Sequence, residues 1–102
     1  MAIIGTFTRT ETGYTGRVTT LTGSFAARFV KIDEVSDKAP QFRALAGTAE
    51  IGAAWERHAE GTGEIYLSVR LDDPSFPAPI NAALFEGEGG TYNLVWNRPA
   101  HR

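Results

Sequence analysis

A chain of 102 residues has room for one domain and one core, and none for a second. Its 42% hydrophobic and 22% charged content is that of an ordinary globular protein, and zero cysteines excludes disulfides, zinc fingers, iron–sulfur ligation and thiol catalysis together. The formal net charge of −2 argues against a dedicated duplex-DNA binder, which carries a basic surplus.

Strand signals dominate from the start. No Gly- or Pro-free window repeats apolar residues at helical spacing, and eight of the eleven threonines fall in the first 22 residues among glycines and single apolar residues. Ile3 to Thr8 reads as a first strand, Arg9 to Gly13 as a polar turn and Tyr14 to Leu21 as the returning strand of a hairpin. Thr22-Gly23 turns the chain into Ser24 to Ile32, where Phe25, Ala27 and Phe29 share a face. Asp33 to Pro40 is an exposed loop with room for one helical turn. Gln41 to Ala46 resumes as strand, followed by Glu50 to Arg57 with Ile51, Ala53 and Trp55 expected on one buried face.

After a loop at His58 to Gly63 comes the cleanest alternation in the chain. Ile65, Leu67, Val69 and Leu71 point one way, and Tyr66, Ser68 and Arg70 the other. The segment 72–79 holds three of the five prolines and reads as a stiff loop presenting Phe76. Ile80 to Phe85, a glycine-rich turn and Thr91 to Asn97 complete the set, leaving 99–102 as a frayed tail behind a domain at 1–98. Seven to eight short antiparallel strands in so small a chain imply an all-β domain, either a curled sheet or a partly open barrel, with a two-sheet sandwich as the alternative.

Several of these segments resemble one small bacterial family. They are Ile4-Gly5-Thr6-Phe7-Thr8 with Gly13-Tyr14-Thr15-Gly16, Glu50-Ile51-Gly52-Ala53-Ala54-Trp55, the run from Tyr66 through Asp72-Asp73-Pro74 to Ile80, and Tyr92-Asn93-Leu94-Val95-Trp96-Asn97-Arg98. Together they are similar to the domain-of-unknown-function 736 family, single-domain proteobacterial proteins often encoded on plasmids and integrated mobile elements. The resemblance implies a setting, the bacterial cytoplasm and the upkeep of a mobile element. It carries over no catalytic or binding residue.

An enzyme is not expected. Without cysteine a nucleophile needs Ser or Thr beside a positioned base, yet the two histidines are His58 in a loop and His101 in the tail. No ligand spacing suggests a metal, and no cofactor is expected. Asp72 and Asp73 are adjacent, so they point to opposite faces of an extended chain, and their role before Pro74 is turn chemistry. Gly87 to Gly90 lacks the Lys and helix that a phosphate loop requires.

Aromatic residues that break the pattern are more informative. Trp55 and Trp96 are assigned to the core, while Tyr66, Phe85 and Phe76 fall off the apolar faces. Eight of the ten basic residues are arginines, and residues 1–32 hold Arg9, Arg17, Arg28 and Lys31 against Glu11 alone. Two functions follow. The first is a non-enzymatic binding or adaptor module, docking a protein partner or itself through a stiff Phe76 loop or a free sheet edge. The second is single-stranded nucleic-acid binding on a small barrel, using Arg43, Arg57, Tyr66, Arg70 and Phe85, with Arg9, Arg17 and Arg28 at the positive end. The N-terminal residues 1–6 carry no basic, apolar secretory signal, no apolar run approaches the roughly 20 residues of a bilayer span, and a cytoplasmic location is expected.

Overall fold

Eight strands follow one another without a crossover in the computed structural model, which describes residues 2–33 and 38–96. They are β1 (Ala2–Arg9), β2 (Gly13–Thr20), β3 (Gly23–Lys31), β4 (Phe42–Ala46), β5 (Ala49–His58), β6 (Ile65–Leu71), β7 (Ile80–Glu86) and β8 (Thr91–Trp96). Each pairs antiparallel with the next, and β1 pairs with β8, so the sheet closes into an up-and-down barrel. The barrel expectation holds and the closure is complete, whereas the sandwich does not form. The proposed tail at 99–102 lies outside the described residues, as does the 34–37 part of the 33–40 loop in which a helical turn is expected.

Closure works because the strands alternate. Inward positions supply Phe7, Val18, Phe29, Phe42, Leu67, Val69, Leu71, Leu84 and Leu94, all almost fully buried. Phe7 and Phe29 meet at the centre, ring centroids 5.2 Å apart. The interior of an eight-stranded barrel is just wide enough for such side chains to fill it. An apolar interior with arginines and threonines on the outside is the reverse of a membrane-spanning barrel, whose outward residues meet lipid.

Two bulges depart from simple alternation, and both fall on an Ile-Gly pair. In β1 the register shifts between Ile3 and Gly5, and in β5 Ile51 is the extra residue between Glu50 and Gly52. Each isoleucine turns toward the core, Ile51 to 4% exposure. A bulge adds twist and bends the strand, which helps a short sheet turn its corners. Gly52 is required beside its bulge, since a Cβ there would collide with the Arg70 carbonyl of β6.

The β5 bulge corrects the expected facing of that strand. Ala54 is fully buried, and Ala53, Trp55 and Arg57 point outward beside Arg70, Ser68 and Tyr66 of β6. Trp96 lies on the same side of β8 as Leu94 and is half-buried.

The β6–β7 loop also differs from expectation. Phe76 is half-buried against the core instead of standing out as an anchor, at the end of the barrel where β6 meets β7. Asp73 shapes this loop, accepting hydrogen bonds from the Ser75 amide (2.9 Å) and hydroxyl (2.6 Å). The Ser75 hydroxyl bond first, then the amide, holds the Asp73 carboxyl below its ordinary range. A lowered folded-state pKa contributes stability above the unfolded value, and that contribution is lost as pH falls through the folded value. Ser75→Ala is therefore expected to raise the Asp73 pKa toward an ordinary carboxylate, read by NMR titration. An unchanged titration curve would rule out this loop geometry.

Candidate functional site

Cross-strand register fixes which outward residues are neighbours on the barrel wall. One row runs Arg57, Tyr66, Phe85, Asn93, Thr6 and Arg17 across β5, β6, β7, β8, β1 and β2. The next holds Trp55 with Ser68 and Ala83, and a third holds Arg43, Ala53, Arg70 and Asn81. Neighbouring strands lie about 4.8 Å apart, so the members on β4–β7 form one continuous patch, and the first row continues round the barrel to β1 and β2 on its other side.

Tyr66 and Phe85 are stacked in it, centroids 5.0 Å apart with 22° between the planes. A parallel pair on the wall is held by cross-strand packing and presents flat π-surface beside the Arg57 position. Trp55 is the aromatic residue that sequence reasoning put inside. Its indole N–H donates to the Lys38 carbonyl at 3.1 Å, which fixes the ring against the β3–β4 connection. The signal that could have found it is the Ile-Gly pair at 51–52. Between Trp55, Ala53 and Arg70 runs a shallow groove of about 340 Å³, bounded by Glu50 and Asp72.

Charge is segregated on this fold. The outward strand positions among the described residues carry Arg17, Arg28, Arg43, Arg57 and Arg70, against the carboxylate of Glu50 alone. Arg43 forms a 3.7 Å ion pair with that carboxylate, with both side chains about half exposed, which is worth little in water. Arg17 Nε donates to Ser24 Oγ at 2.7 Å, and Arg28 to the Gly47 carbonyl at 3.1 Å. Thus Arg17 and Arg28 do point outward, but Arg17 on β2 stands across the barrel from β6 and Arg28 on β3 borders only the β4 edge, while Arg9 is not on the outer surface.

Arg9 belongs to one mouth of the barrel instead. There β1 and β3 contribute Arg9 and Lys31, while β5 and β7 contribute Glu56 and Glu86, around a cleft of about 330 Å³. Tyr14, Tyr92 and Phe42 form its aromatic floor, with Tyr14 and Tyr92 edge to face at 4.9 Å and Tyr14 and Phe42 at 5.7 Å. A side-chain hydrogen bond to Tyr92, with Tyr14 adding to it, raises the pKa of the Arg9 guanidinium. Burial pushes the Tyr14 phenol up, opposed by Arg9.

Residues 3–99 match a family described as a protein of unknown function, DUF736. The chain belongs to this family. No curated protein and no solved structure matches the family member described here. The family's identity confirms the resemblance read from the sequence and leaves the chemistry of the wall and mouth to be argued from their own residues.

Proposed function

We propose that this DUF736 protein binds single-stranded nucleic acid on the barrel wall over β4–β7, without turnover and without a cofactor. The observation that carries the reading is the meeting of Trp55, Tyr66 and Phe85 with Arg43, Arg57 and Arg70 on one face. Stacking rings take any base, and arginines track the phosphates, which gives affinity with little sequence preference. The overall charge of −2 is no obstacle. Acids such as Glu11, Glu56, Glu60, Glu64, Asp73, Glu86 and Glu88 lie at the mouth or in connections, and on the wall Arg43, Arg57 and Arg70 outnumber Glu50 and Asp72, which edge its groove. This reading fits the cytoplasmic, mobile-element setting that the family resemblance implies.

The adaptor reading is weaker on this fold. Closure removes the free sheet edge through which a second copy would pair, and Phe76 packs inward. A protein partner would have to dock on the same arginine–aromatic wall.

Fluorescence anisotropy of a short labelled single-stranded oligonucleotide at low salt tests the proposal. Wild type should bind, with a log–log salt slope near −0.7 for each phosphate contacted. Tyr66→Ala should weaken binding by about tenfold, as loss of one stacked base requires. Absence of binding at tens of micromolar protein, or an affinity indifferent to both Tyr66→Ala and Arg70→Ala, would overturn it and favour protein docking.

A further inference from the structure

The mouth bounded by Arg9, Lys31, Glu56 and Glu86 is on the opposite side of the strand pleat from the wall, since these are inward-facing positions at one strand end. In an eight-stranded closed barrel taken in chain order, β1 stands across from β5 and β3 across from β7. Arg9 therefore faces Glu56 over the opening, and Lys31 faces Glu86. The cations occupy one half of the rim and these carboxylates the other, with Tyr14 and Tyr92 beneath. Glu11, on the β1–β2 turn, stands on the cation half of the rim, where Arg9 and Lys31 together leave a net positive charge.

No ion pair within 4.0 Å joins any of these groups among the described residues, where the Arg43–Glu50 contact is the ion pair present. Arg9 and Glu56 attract one another across the opening, but among the described residues no contact pair closes it. They leave a space whose two sides call for opposite charges on a guest. Its volume of about 330 Å³ lies at the small end of ligand cavities, and the tyrosines supply an apolar floor for a short carbon chain.

We propose that this mouth is a second binding site, for a small zwitterion whose carboxylate and ammonium lie at opposite ends of a short aliphatic chain. The carboxylate pairs with Arg9 and Lys31, and the ammonium with Glu56 and Glu86. An α-amino acid such as glycine carries both charges on one carbon and cannot span the opening. An ω-amino acid can.

Isothermal titration calorimetry of the full chain with 6-aminohexanoate tests this. The expected result is saturable binding at one site, with glycine, hexanoate and hexylamine each at least tenfold weaker. Glu56→Gln and Lys31→Met, both at exposed positions, should each lower the affinity about tenfold while the thermal midpoint stays near wild type. Arg70→Ala on the wall should leave it unchanged, which separates this site from the oligonucleotide face. No saturable heat with 6-aminohexanoate at millimolar concentration would overturn the proposal. So would equal affinity for hexanoate or hexylamine, or an affinity untouched by both Glu56→Gln and Lys31→Met.

Discussion

Phe7→Ala is expected to remove about 3–5 kcal/mol of folding stability, measured as a lowered urea midpoint at equilibrium. Phe7 is 1% exposed, its ring meets Phe29 at 5.2 Å, and it sits in the core of a barrel whose interior has no second layer. Truncation removes the buried ring and leaves a cavity that a closed sheet collapses around poorly, because every strand is tied to two neighbours. A domain of this size has about 5–15 kcal/mol in total, so the variant should be close to unfolding at modest temperature. A loss below about 1 kcal/mol would mean that the ring is not the centre of the core.

Gly16→Val is expected to cost about 3 kcal/mol or more, for a different reason. Gly16 of β2 stands opposite Phe7 of β1, and a Cβ there would strike the Thr6 carbonyl oxygen and lie 2.7 Å from both Phe7 Cα and Phe7 Cγ. The side-chain conflict could be relieved by moving the ring, but the conflict with the backbone cannot be relieved without parting two hydrogen-bonded strands. Ala26→Val, at an exposed outward position in β3, is the matched control and should change stability by less than about 0.5 kcal/mol. Equal effects from the two substitutions would refute the close approach of β1 and β2.

The contrast between these residues shows what the sequence disclosed. β6 was legible because Ile65, Leu67, Val69 and Leu71 alternate without interruption, and this placed Tyr66 and Arg70 on the wall. Phe85 was legible for the same reason, as an aromatic residue out of phase with Leu84. Trp55 was not, because one inserted residue at Ile51 reverses the facing of everything after it, and alternation alone does not announce a bulge. Phe76 was misread because proline stiffness says that a loop is rigid, not which way it folds. The mouth lay beyond sequence reasoning altogether. Its four charges come from four strands spread over most of the chain, and only closure brings them to one rim.

Closure also has a temporal side. Seven of the eight strand pairings join consecutive segments and can zip as hairpins while the chain is being made. The eighth joins Ala2 to Trp96, at opposite ends of the described chain, and cannot form until β8 has left the ribosome. Until then β1 carries an unsatisfied row of amides and carbonyls, a template for any extended strand nearby. The nascent protein is thus most exposed to misassembly in the interval before its last strand arrives, and the β1–β8 seam should be the slowest to gain protection from hydrogen exchange during refolding.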